Sequence, residues 1–180
     1  MTNNSQTIYA LSSGALPAAI AVVRISGTYA FETARLLGAE SLISRKLVLT
    51  KIQPAGQEII DMALVCAFPK KQSITGEDLV ELHLHGSIAV IDELFLFFSS
   101  IKELRPAEPG EFTKRSLING KMDITEVEGL ADLLASETKQ QRIQSIKLLK
   151  GELSEKYAHW RQKLIKARAE MEASLDFSDE

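Results

Sequence analysis

Internal disulfides are excluded from this chain, because its 180 residues hold one cysteine, Cys66. That scarcity fits a reducing cytosol. Cys66 lies in the apolar run 62–68 and reads as a small buried hydrophobe rather than a nucleophile. Neither charge dominates. The net charge is −3, so the chain as a whole lacks the basic signature of a nucleic-acid binder. No apolar run reaches the roughly 18 residues that a membrane-spanning helix needs. The opening MTNNSQT has no basic segment followed by an apolar core, so no signal peptide is expected. No G-x-x-x-x-G-K-[ST] loop occurs, and the chain alone is expected neither to bind nor to hydrolyse GTP.

What remains is the balance of a globular protein. Hydrophobic residues make up 45% and charged residues 25%, and the length allows one or two small domains with a real core. The most organised stretch is Thr75–Ser87, TGEDLVELHLHGS. A turn around Gly76 leads into strict alternation. Leu79, Glu81, His83 and His85 fall on one side of a strand, and Val80, Leu82 and Leu84 on the other. One face is therefore apolar and anchored, and the other carries a carboxylate and two imidazoles. An exposed face of an antiparallel sheet would show the same pattern without any function.

Before this strand, residues 8–11 and 18–25 read as apolar strands, the second interrupted by Arg24. A strand arginine either sits at a strand end or faces a polar site. Residues 29–37 read as a short helix stopped by Gly38, and 46–52 and 58–68 as two strands around the turn 54–56. After it, residues 88–101 form a helix apolar on most of its circumference, central in the domain or part of a subunit interface. Residues 103–109 read as loop or edge strand, and 112–118 as a short helix closed by Asn119–Gly120. Thr125 and Glu128 read as a capping box opening the next helix. From there strand signals cease. Leu153, Tyr157, Trp160, Leu164, Ala167 and Met171 form a heptad-like seam suited to a partner helix, and Gly151 marks a break before it. Strands and helices followed by helices alone predict an α+β class: a two-layer domain with a mixed sheet over 1–118, then an all-α segment over 119–180.

Three blocks, AVVRISG at 21–27, TGEDLVELHLHG at 75–86 and PGEFTKRSLINGKMD at 109–123, occur in order with ADLLASET at 131–138. Together they resemble the N-terminal portion of the bacterial tRNA modification GTPase family MnmE/TrmE, across nearly the whole chain. The resemblance implies a folate-binding domain similar to the aminomethyltransferase of glycine cleavage, then part of a helical domain. It implies a homodimer, an FAD-dependent partner of the MnmG (GidA) type, and tRNA whose wobble uridine receives a carboxymethylaminomethyl-type group in the cytoplasm. The one-carbon donor implied is a tetrahydrofolate derivative, 5-formyl- or 5,10-methylene-tetrahydrofolate. GTP, Mg2+ and K+ belong to the family's G domain, which this sequence does not contain. The family's C-terminal cysteine motif is not found here either. Two departures concern the ligand pocket. The family's glycine-rich early loop reads Ser13-Gly14-Ala15-Leu16-Pro17-Ala18-Ala19 here, and its His-Gly-Gly reads His85-Gly86-Ser87.

Carried over residue by residue, the family's folate contacts fall on Arg24, Glu81 and Lys121. A carboxylate such as Glu81 can accept the adjacent N–H donors along a pterin edge, and Arg24 and Lys121 can offset the carboxylates of the folate tail or contact ring oxygens. No catalytic residue is expected in the chain itself. Two other readings stay open. Glu81, His83 and His85 supply ligand types for zinc or iron. Alternatively the chain serves only as a dimerisation module.

Overall fold

The computed structural model describes residues 6–176. They form two compact units divided between Lys121 and Met122. The first unit contains β1 (Thr7–Leu11), β2 (Ala18–Ser26), α1 (Ala30–Leu36), β3 (Leu47–Ile52), β4 (Asp61–Phe68), β5 (Leu79–Gly86), α2 (Ile88–Ser99), β6 (Leu104–Pro106) and α3 (Glu111–Ile118). The second contains α4 (Ile124–Ala135), α5 (Lys139–Leu149) and α6 (Glu152–Asp176). The class is α+β, with a mixed sheet and a helical segment.

The sheet runs in the order β3-β4-β5-β2-β1-β6. Neighbours are antiparallel except β1 and β6, which are parallel. Period-two patterning decides which face is covered. Ala21, Val23 and Ile25 of β2, Val80, Leu82 and Leu84 of β5, and Ala63 and Val65 of β4 are all buried. Ala30 and Ala34 of α1 join this core, as do Ile91, Leu94 and Phe98 of α2. Tyr9 packs tilted against Phe98, with ring centroids 4.8 Å apart. The apolar circumference of α2 is thus used mainly on one side, at positions 91, 94 and 98. Ile88 and Leu96 stay exposed.

The helical unit departs from the sequence reading at three places. The capping box at the start of α4 is Asp123 with Glu126, two residues earlier than Thr125 with Glu128. Asp123 is the better cap because its carboxylate accepts the Glu126 N–H at 2.9 Å and also the Thr125 hydroxyl at 2.8 Å. A break separates α4 from α5, where Thr138 and Gln141 form a second capping box. Gly151 does end α5, at φ +77°. The α6 seam is uncovered: Tyr157, Trp160, Leu164 and Met171 are exposed among the described residues.

A buried charge network fastens α3 into the first unit. Arg115, 2% exposed, donates to Glu77 at 2.8 Å, to Glu111 at 3.0 Å and to the Gln6 carbonyl at 2.9 Å. Glu111 also takes a two-pronged contact from Arg105, at 2.8 and 2.6 Å, and the Glu108 N–H at 2.9 Å. These donors, Arg105 foremost, hold the Glu111 carboxyl down to about 2. A lowered folded value means stability present above the ordinary carboxylate value and lost as pH falls toward 2. Chemical denaturation stepped from pH 5 to pH 2 should show this group costing up to about 3 kcal/mol. Glu111→Gln should be less stable above pH 5, by about 3–5 kcal/mol, and should depend less steeply on pH.

Candidate functional site

Sheet register brings the polar residues of three strands into line. Leu47, Cys66, Glu81, Arg24 and Ala10 are successive cross-strand partners from β3 to β1. Leu49, Leu64, His83 and Val22 form the neighbouring row. Partners share a face, and this is the face opposite α1 and α2. Its β3–β4 side is apolar and exposed at Leu47, Leu49, Met62 and Leu64. Its β5–β2 side carries the charges.

Arg24 lies within β2 and not at its end, and its charge is met: Nε donates to Glu81 Oε1 at 2.8 Å. The polar-site reading of Arg24 therefore holds over the strand-end reading. Both side chains are half-buried, so the pair is partly shielded from water. Glu81 Oε2 accepts no hydrogen bond among the described residues. His83 Nε2 approaches it at 3.5 Å, too far for a hydrogen bond. That Nε2 is buried and has no hydrogen-bond partner. A carboxylate oxygen with spare lone pairs thus sits beside an unpartnered ring nitrogen, an arrangement suited to a ligand edge that offers donors. A hollow of about 220 Å³ lined by Ile20, Met62, Leu64, His83 and His85 adjoins them. The Cys66 thiol is pushed up by burial and by the Glu81 charge, with Arg45 opposing. It is correspondingly poor as a nucleophile.

His85 turns elsewhere. Asp61 accepts its backbone N–H at 2.8 Å and faces its Nδ1 at 2.7 Å. The two histidines thus lie beside different carboxylates. Among the described residues no group of three or more His, Cys, Asp or Glu is placed to hold a metal ion, so the geometry lends the zinc or iron reading no support. Gly86 permits the close approach of β2 at this point, since a Cβ there would collide with the Ala18 carbonyl oxygen. In the altered early loop, the Ser13 hydroxyl accepts the Val22 N–H at 3.1 Å.

Lys121 is not brought to the Arg24–Glu81 pair by any contact among the described residues. It follows α3, and its Nζ donates to the Lys71 carbonyl at 2.9 Å. Asn119 Nδ2 donates to the Thr75 carbonyl at 2.7 Å. Gly76, at φ +73°, makes this seat possible, because a Cβ there would lie 2.6 Å from Asn119 Cβ and 3.3 Å from Lys121 Cγ. Glu77, in the same turn, binds Arg115 and accepts from the Ser26 hydroxyl at 2.9 Å. The supporting roles of Glu77, Glu111, Arg115 and Asn119 were not readable beforehand. The signal available was their occurrence in the two blocks that flank the site residues.

Residues 7–121 match the family described as GTP-binding protein TrmE N-terminus, and residues 124–180 match the MnmE helical domain. Among curated relatives, the tRNA modification GTPase MnmE of Bradyrhizobium sp. (strain ORS 278) is 49% identical over 180 residues, covering 100% of this chain and 40% of that protein. The protein of the same name from Agrobacterium fabrum is 50% identical over 181 residues, covering 100% and 41%. That from Parvibaculum lavamentivorans is 45% identical over 177 residues, covering 97% and 40%. The chain thus spans about two fifths of the length of these relatives.

Gly76 and Gly120 offer a controlled comparison. Both have positive φ, but a Cβ on Gly120 meets nothing within 4 Å. Gly120→Ala should cost only the left-handed backbone penalty, about 1–2 kcal/mol, whereas Gly76→Ala should cost more because it also displaces Asn119 and Lys121. Urea denaturation of the two variants measures the difference.

Proposed function

The chain belongs to the tRNA modification GTPase MnmE family, and from that premise we propose that its first unit holds a tetrahydrofolate derivative as one-carbon donor for tRNA modification. Glu81 takes the donor edge of the pterin, Arg24 fixes Glu81 and neutralises it, and Lys121 faces the anionic part of the ligand. The observation that carries this reading is the Arg24–Glu81 pair, with Glu81 Oε2 left available beside the unpartnered His83 Nε2. A carboxylate offers about four lone-pair positions, so Oε1 can serve Arg24 and the ligand together. When bound, the folate would supply the one-carbon unit. The chain's own residues orient its ring and screen its charge. The rest of the function follows the family: 5-formyl- or 5,10-methylene-tetrahydrofolate as ligand, tRNA wobble uridine as target, and an FAD-dependent MnmG-type protein as partner. GTP hydrolysis is assigned to a G domain, and this chain alone is not catalytic.

A homodimer belongs to the same proposal. The uncovered apolar residues of the open sheet face, Leu47, Leu49, Met62 and Leu64, favour a second copy as the cover. Burying them would exclude water from the neighbouring Arg24–Glu81 pair and strengthen it. Sedimentation at micromolar concentration should give twice the 19.9 kDa chain mass. A Leu49→Glu/Leu64→Glu variant should sediment as a monomer.

Ligand binding is tested by calorimetric titration of 5-formyltetrahydrofolate into wild type, Glu81→Ala, Glu81→Gln and Glu40→Ala. Glu77 is unsuited as the control because it holds Arg115. Glu81→Ala should weaken binding about ten- to a hundredfold, since ligand donors lose a charged acceptor. Glu81→Gln should also be poor, because its amide presents a donor to a donor. Glu40→Ala should bind as wild type does. A folded Glu81→Ala that binds normally refutes the pterin assignment.

A further inference from the structure

The loops beside the candidate site carry cations that the folded chain does not neutralise. Arg45, Lys46, Lys70, Lys71 and Lys121 are all exposed, and none forms a salt bridge among the described residues. Backbone and side-chain hydrogen bonds bring them together. The Arg45 N–H donates to the Ala67 carbonyl at 2.8 Å, and the Ser44 hydroxyl donates to Gln72 at 2.8 Å. This lays residues 44–46 along residues 67–72. Lys121 reaches the same loop through the Lys71 carbonyl. The Lys70 N–H is fixed by Asp78 at 2.8 Å, an acid that any anion at this loop would have to tolerate.

The cluster is continuous with the Arg24–Glu81 pair. Cys66 is the cross-strand partner of Glu81, and its neighbour Ala67 bridges Ser44 and accepts the Arg45 N–H. A line therefore runs from Glu81 past Cys66 to Arg45 and on to the lysines. Like charges gathered on two adjoining loops repel one another unless an anion offsets them. A flexible chain of carboxylates suits this layout, because lysine ammonium groups pair with such charges as points and need no fixed planar geometry. A single-stranded nucleic acid suits it less well, since residues 42–46 and 69–76 contain no aromatic side chain for base stacking.

We propose that Arg45, Lys46, Lys70, Lys71 and Lys121 form a subsite for an oligo-γ-glutamate chain that continues from a pterin held at Glu81. This rests on the folate reading above and extends it from the ring to the tail. The subsite makes the protein selective for polyglutamylated folate over the monoglutamate.

The test is calorimetric titration of 5-formyltetrahydrofolate bearing one and five glutamates into the full 180-residue chain and into Lys70→Gln/Lys71→Gln. The pentaglutamate should bind wild type roughly fivefold to tenfold more tightly than the monoglutamate, the sum of several exposed charge pairs. That ratio should shrink toward one in 0.5 M NaCl, where screening length falls to a few ångströms. In the double variant the ratio should approach one at low salt. Equal affinity of wild type for the two ligands overturns the tail subsite, and so does a ratio that the double variant retains. If neither ligand binds wild type, both the ring and the tail readings fall. If the pentaglutamate alone binds, the tail subsite stands and the ring assignment falls. If the variant loses affinity for unfractionated tRNA in a gel-shift assay while keeping its glutamate ratio, the cations serve RNA and the proposal is wrong.

Discussion

The Arg115 guanidinium is almost wholly withdrawn from water, and its hydrogen bonds to Glu77, Glu111 and the Gln6 carbonyl compensate it. A buried cation without such partners would cost several kcal/mol, so these contacts act as a requirement of the fold more than as a bonus. They also converge three separate parts of the chain: the residues before β1, the turn before β5, and α3. Two site residues are placed by that convergence. Glu81 lies four positions after Glu77, in the strand that this turn leads into. Lys121 follows α3 within the corner that Asn119 locks to Thr75. The blocks that carry the family resemblance therefore hold both the residues proposed to face the ligand and the residues that fix them.

Patterning explains what could be read from the sequence. The alternation of β5 revealed its buried face, because a strand's side-chain period of two leaves little freedom once Val80, Leu82 and Leu84 demand burial. Arg24 stood open between two meanings until register placed it opposite Glu81. The role of Glu77 was not legible because its partner lies 38 residues away, beyond the reach of turn chemistry. The capping box near residue 125 was shifted by two because Asp123 and Thr125 are both good caps, and only the three-dimensional contacts rank them. The break between α4 and α5 had a signal in Thr138 and Gln141, but the apolar spacing of the flanking residues concealed it.

The open sheet face combines two surfaces that usually avoid each other. An apolar strip on β3 and β4 borders a charged pair on β5 and β2. Covering the strip removes water from the pair, and a desolvated ion pair tolerates loss of one member poorly. Ligand binding and association are thus linked in the proposed scheme through the dielectric around Arg24 and Glu81.

The far edge of the sheet closes off another route to assembly. Strand β6 is three residues long and ends in Pro106, which has no N–H to offer. The inward donor beside it is Ala107, whose N–H goes to the Tyr9 carbonyl at 2.9 Å. The Pro106 carbonyl is taken by Arg105, the same side chain that grips Glu111. A foreign strand approaching this border finds neither a donor nor a vacant acceptor at Pro106, so the fold resists growing by β-addition there. The Arg105–Glu111 pair, which binds α3 to the unit, doubles as a guard against misassembly. Protonating Glu111 in acid would loosen that guard together with the helix.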